Sequence, residues 1–235
     1  DLRIVLLDKD GNETSDTILV KGQFGGLRLN LGIFEDQLGG DAGLDYVSPN
    51  LIERYIFEDG TSLDFGEVAA QVIKNAATSG DDAIYGLLNS NTLDGGAGAD
   101  YLSGREGFDT YQFGRGYGHD VIEDHDYSSS LFGPKDDLLQ FNDDLRWTDF
   151  NYLRDGKSDT LTMRVSGTAD QVTIVDSLQY ILLVGYTNLI ESVNFGDGTS
   201  WSYLQLLQHF IDVTQTDGND TVYGFEDIND TLTGG

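Results

Sequence analysis

Apolar residues return every nine positions across residues 80–112, each set among glycine and polar neighbours. Ile84, Leu93, Leu102 and Tyr111 form one column of this register. Asp82, Asn91, Asp100 and Asp109 stand two residues before them, and Gly80, Asn89, Gly98 and Gly107 two residues earlier still. One inward residue per unit suits a strand of about three residues. A unit this short cannot bury a core alone, so the pattern predicts stacked coils joined by glycine turns. Outside the run the period changes to two. Alternation over 146–154 and 160–165 around Asp155-Gly156-Lys157 predicts a hairpin, with further strands over 171–176 and 192–195 and a turn at Asp197-Gly198. The apolar run Tyr180–Val184 is short enough for one buried strand. Two stretches switch to helical spacing: Phe65, Val68, Ala69, Val72, Ile73 and Ala76, then Leu204, Leu207, Phe210 and Ile211. Ser202 and Gln205 are spaced as a capping box for the second helix. The predicted fold is mainly β, with β-rich blocks that each end in one amphipathic helix.

A second repeat has a long period. Ile52–Ser62 returns as Ile190–Ser200, and Gly80–Gly86 returns as Gly218–Gly224, both at a shift of 138. Asp1-Leu2-Arg3 returns as Asp144-Leu145-Arg146. The expected organisation is a β-rich block over 1–78, the nonapeptide run and its closing segment over 79–143, a second β-rich block over 144–212, and the start of a second run over 213–235. The first block carries an extra stretch, Gly39–Asn50, that the second lacks. The order of blocks predicts a tandem array of which this chain is a piece.

Composition narrows the chemistry. The chain has 41 Asp and Glu against 13 Lys and Arg, a net charge of −28, and self-repulsion on that scale disfavours a compact state unless cations bind. Nucleic acid and anionic membranes are excluded as partners, since both are held by basic patches, and no apolar stretch is long enough to insert in a bilayer. Cysteine is absent and histidine is limited to His119, His125 and His209, so zinc and copper find few ligands. Carboxylates and turn carbonyls are hard oxygen donors, which suit Ca²⁺.

The units Gly95–Ser103 and Gly104–Gln112 resemble the RTX (repeats-in-toxin) nonapeptide, a Ca²⁺-binding repeat. The resemblance implies a short parallel β-roll in which alternate units fall on opposite sides. Asp82 and Asp100 would then share one side, and Asn91 and Asp109 the other, with carbonyls near Gly98 and Gly107 completing the shells. Roughly two to four ions are expected from so short a run. Tyr111–Ile122 resembles the family's end-of-roll sequence, with Asp120 as a last ligand and Phe113, Ile122, Leu139 and Phe141 as the core of a closing cap. Leu145–Trp201 resembles the haemolysin-type calcium-binding-related domain that alternates with such repeats in large secreted bacterial proteins. These resemblances imply a secreted or cell-surface setting, export through a type I channel, and neighbouring repeats of one parent chain as partners.

Other sites are weaker. Asp8–Asn12 has glycine in the fourth place of a hairpin turn, not the sixth of an EF-hand. No nucleophile elbow and no His-Glu-x-x-His motif occurs, so catalysis is not expected. Trp147 and Trp201 sit in apolar strand patterns and are expected in the core. Two readings remain: a calcium-dependent folding module, disordered without Ca²⁺, or a recognition module such as an adhesin repeat or polysaccharide-binding unit. A non-catalytic tail of a secreted hydrolase is a variant of the first.

Overall fold

The structure is a computed structural model that describes residues 2–7, 13–20, 54–57, 60–87, 90–124, 136–142, 144–175, 180–181, 185–186, 189–225 and 230–232. Asp8–Asn12, Gly39–Asn50 and His125 lie outside the described residues. The chain divides into two compact units, Asp1–Ala69 and Ala70–Gly235.

In the first unit, β1 (Leu2–Leu7) and β2 (Glu13–Val20) form an antiparallel pair, and β3 (Arg54–Ile56) and β4 (Ser62–Asp64) form another. Helix α1 (Phe65–Ala76) begins at the next residue. Its start is held by reciprocal bonds: Asp64 N–H donates to Glu67 Oε2 and Glu67 N–H to Asp64 Oδ1, both at 2.8 Å. Val68, Ala69 and Ile73 are its buried residues, while Val72 is exposed.

In the second unit, six short strands follow the end of α1. They are β5 (Ala83–Tyr85), β6 (Thr92–Asp94), β7 (Tyr101–Ser103), β8 (Thr110–Phe113), β9 (His119–Ile122) and β10 (Leu138–Phe141). Successive strands alternate between two parallel sheets. β5, β7 and β9 are neighbours in one, and β6, β8 and β10 in the other. The column Ile84, Leu93, Leu102, Tyr111, Ile122 and Leu139 is 0–1% exposed and forms the floor of the core with Phe113 and Phe141. Strands of three or four residues are too short to be stable singly. Each is fixed by parallel neighbours and by one buried apolar side chain, two in β8 and β10, each contributing about 1.5–3 kcal/mol.

Both sheets then run on into the next block. After a tight turn at Trp147–Asp149 come β11 (Phe150–Arg154), β12 (Leu161–Val165) and β13 (Gln171–Ile174), an antiparallel meander. The last of these pairs in parallel with β9, Val172 opposite Asp120. The short strands β14 (Tyr180–Ile181) and β15 (Gly185–Tyr186) pair with each other. β16 (Ser192–Asn194) pairs in parallel with β10 and antiparallel with β17 (Ser200–Ser202), from which α2 (Tyr203–Asp212) departs. The segment expected as a closing cap instead continues both parallel sheets, and the meander with the hairpin and α2 takes over the two sheet ends.

The mainly β expectation holds, and so does the local grammar around it. α2 carries the capping box expected of Ser202 and Gln205. The strand expected from residue 146 starts only at Phe150, because Asp149 Oδ2 accepts the Arg146 N–H at 3.0 Å and tightens the chain into a turn. The tryptophans depart from expectation. Trp147 is 37% exposed and packs with half-buried Trp201, 5.7 Å between centroids, and with His209. Both indoles lie against His209 of α2, whose pKa burial lowers.

Candidate metal centre

The polar column two residues before each core residue forms two continuous ladders. On one side, Asp82 N–H donates to Asp100 Oδ1 at 2.9 Å, and Asp100 N–H donates to Asp120 Oδ1 at 3.3 Å. On the other, Asn91 N–H donates to Asp109 Oδ1 at 2.7 Å, Asp109 N–H to Asp137 Oδ1 at 2.7 Å, and Asp137 N–H to Glu191 Oε2 at 2.7 Å. Each rung's carboxylate thus takes the amide of the rung before it, a bond that engages one of its two oxygens. The carbonyls are ordered by the same register, with Tyr101 N–H donating to Asp82, Val121 to Asp100, Thr110 to Asn91 and Leu138 to Asp109.

Glycine makes this approach feasible. A methyl group at Gly98 would lie 2.6 Å from the Gly80 carbonyl oxygen and 2.9 Å from Asp100 Oδ1. One at Gly95 would collide with Asp100 Oδ2. The turns share a backbone signature, positive φ at the fourth and second residues before the aspartate. It occurs at Gly96 (78°) and Gly98 (151°) before Asp100, and at Arg105 (72°) and Gly107 (132°) before Asp109. Arg105 is the one non-glycine residue with positive φ among the described residues, and its guanidinium lies over the Tyr85 ring at 5.4 Å.

Asp100, Asp109 and Asp120 are each 1% exposed. Asp100 Oδ2 and Asp120 Oδ2 are buried with no hydrogen-bond partner, an arrangement that costs about 1–3 kcal/mol or more for each charged group left so. Burial raises the Asp100 carboxyl above the usual range, with the Asp82, Asp81 and Asp94 charges adding to it and the Asp82 amide opposing it. Burial pushes Asp120 up from 3.8 to about 7, helped by Asp100, Asp94 and Asp170 and opposed by its bond from the Asp100 amide. Asp124, buried beside Asp137, is also held well above the usual carboxylate range, first by burial and then by the Asp137 charge. Its Oδ1 accepts the Tyr111 hydroxyl at 2.8 Å, while that hydroxyl accepts the Gly104 N–H at 2.7 Å.

These features fit a hard divalent cation. Partnerless buried carboxylate oxygens and glycine cradles ask for a small positive charge, and every donor is oxygen. Among the described residues no three acidic or imidazole side chains converge as a metal cluster. Peptide carbonyls must therefore supply much of any shell. The Gly98 carbonyl accepts the His119 N–H at 3.0 Å and keeps a second lone pair.

The raised carboxyl pKa values make the stability of the metal-free chain depend on pH. A carboxyl whose folded pKa is raised contributes stability only while protonated, so the Asp120 contribution is complete below about 3.8 and is lost as pH rises through about 7. In chelator, the residual folded fraction read by circular dichroism is expected to be larger near about pH 5 than near about pH 8. Calcium is expected to reverse that order by binding the ionised form.

The structure gathers the seven expected residues into the two ladders: Asp82, Asp100 and Asp120 with Gly98, and Asn91 and Asp109 with Gly107. The period of nine missed Asp137 and Glu191, which lie 28 and 82 residues beyond Asp109. A detectable signal was there. Asp137-x-Leu139 and Glu191-x-Val193 repeat the acid-x-apolar pattern of Asp109-x-Tyr111.

Residues 77–111 match the model of the RTX calcium-binding nonapeptide repeat, in four copies. Residues 161–205 match the haemolysin-type calcium binding protein related domain. No curated protein matches the chain. The resemblance read from the nonapeptides is thereby established: the chain carries RTX-type repeats, which bind Ca²⁺ and serve as structural modules. Proteins with such repeats are typically secreted. Among the described residues no helix is long and apolar enough to cross a membrane.

Proposed function

We propose that this calcium-binding RTX module is a calcium-dependent folding unit of a large secreted protein, disordered before export and folded outside the cell. The observation that carries the reading is the burial of Asp100 Oδ2 and Asp120 Oδ2 without partners in a chain of net charge −28. Such groups oppose folding when ionised and bare, and favour it once a cation neutralises them. Asp82, Asp100 and Asp120 would hold ions on one side and Asn91 and Asp109 on the other, with carbonyls at the Gly98 and Gly107 turns. Bound calcium supplies charge neutralisation and cross-linking between successive turns. The chain's own residues do the rest: the glycines let the turns approach, and the Ile84-to-Leu139 column zips the two sheets together.

Extracellular modules bind calcium at roughly 10⁻⁴–10⁻³ M, far above cytosolic levels, so the same sequence can stay open inside and close outside. The division between 79–143 and 144–212 is one of sequence and function in this reading, since both sheets cross it. Far-UV circular dichroism in chelator is expected to show a largely disordered chain, and addition of calcium to restore the β spectrum. Identical folded spectra in both conditions would rule out the switch.

A further inference from the structure

The positive-φ signature occurs a third time. Gly116 (81°) and Gly118 (86°) stand four and two residues before Asp120, as Gly96 and Gly98 stand before Asp100. Asp120 lies eleven residues past Asp109 and outside the matched repeats, so the period of nine conceals it. The backbone restores the phase. Gly118 bridges Gly98 in parallel, and a methyl at Gly118 would collide with the Gly98 carbonyl as one at Gly98 would with Gly80. Asp120 Oδ1 accepts the Asp100 amide, and its Oδ2 is buried without a partner.

Beyond this turn the chain departs from the nonapeptide pattern. The next rung is β13, which places Val172 opposite Asp120, so that ladder of acids stops. Asp170 then takes both glycine amides of the turn, Gly116 N–H at 2.9 Å and Gly118 N–H at 3.1 Å. Asp170 is itself fixed: its N–H donates to Thr168 Oγ1 at 3.1 Å, and its carbonyl accepts the Val165 N–H at 2.8 Å. It belongs to the matched related domain, not to the repeats.

We propose that Asp170 is the positioning residue of the cation site at Asp100 and Asp120, through the two glycine amides it holds in the turn before Asp120. Cation binding there and docking of the β11–β13 meander are thereby coupled. The proposal rests on the reading of the module as calcium-binding. The meander's Asp170 can hold the turn only when β13 is paired with β9. A cation that orders the turn therefore favours that pairing by the same factor with which the pairing favours the cation.

The test is calcium titration of the full chain, read by calorimetry and by tryptophan fluorescence. The chain's two tryptophans, Trp147 and Trp201, both lie in the block joined through β13 and β16 and report its state. In the wild type, fluorescence is expected to move with calcium. Asp120→Asn keeps the Oδ1 acceptor, as Asn91 does in its rung, and is expected to lose one bound ion. Asp170→Asn is expected to keep the ion count, weaken one site by about tenfold or more, and shift the fluorescence midpoint to higher calcium. An unchanged ion count in Asp120→Asn overturns the site, and an unchanged fluorescence midpoint in Asp170→Asn overturns the coupling. If Asp120→Asn does not fold, the Asp170→Asn titration decides. A wild-type chain that binds no calcium overturns this proposal and the calcium-binding reading together.

Discussion

Transfer from saturating calcium to chelator is expected to lower the thermal midpoint by roughly 20 °C or to abolish the transition. Three turns share the positive-φ signature before a buried aspartate, at Asp100, Asp109 and Asp120. At a free concentration a hundredfold above the dissociation constant, each site stabilises the folded state by about 2.7 kcal/mol. Three sites together contribute about 8 kcal/mol, comparable with the whole stability of a typical domain of about 5–15 kcal/mol. The metal-free state also carries the repulsion of a net charge of −28. Differential scanning calorimetry with about 10 mM calcium and with chelator measures the difference, taking dissociation constants at the tight end of the extracellular range. A shift of less than about 5 °C would mean that the buried carboxylates are stabilised by something other than calcium.

Phe141→Ala is expected to cost about 3–5 kcal/mol even at saturating calcium. Phe141 is fully buried at the point where the repeats meet the following block. Its ring meets Phe113 edge-on at 6.1 Å, stacks on Phe195 at 5.3 Å with 16° between planes, and lies 4.6 Å from Phe150. Phe113 comes from β8 at the end of the repeats, whereas Phe150 and Phe195 come from the block, so the substitution opens a cavity that neither side can refill alone. Both sheets are continuous across this junction, so urea denaturation is expected to give one transition by circular dichroism and by tryptophan fluorescence. A loss under about 1 kcal/mol, or two separated transitions, would show two independent folding units.

The cation-binding chemistry was legible because its determinants are local. A carboxylate or amide two residues before an apolar residue lies on the same side of a strand start, and a small or turn residue two before that sets the turn. That pattern located Asp82, Asn91, Asp100 and Asp109, and the matching turns at Thr78–Asp82 and Thr216–Asp220 show how faithfully local sequence repeats local geometry. In both, the threonine N–H and Oγ1 bond the aspartate carboxylate, and the glycine N–H donates to the threonine Oγ1 at 3.1 Å. The capping box on α2 was readable for the same reason.

Spacing alone could not show where the ladders end. Asp137 joins its rung only after the interval 125–135, and Glu191 only after the meander has come and gone. Their register is set by parallel pairing of β10 with β8 and β16. Loop length between parallel strands adds little to the free energy of closure, so chain distance carries almost no information about which rung comes next. The sequence by itself determined the kind of chemistry and the identity of the core column: oxygen donors, calcium and two sides. The tertiary structure alone decided that repeats and following block share two sheets, because strand partners are chosen by burial and register across the sheet and not by proximity along the chain.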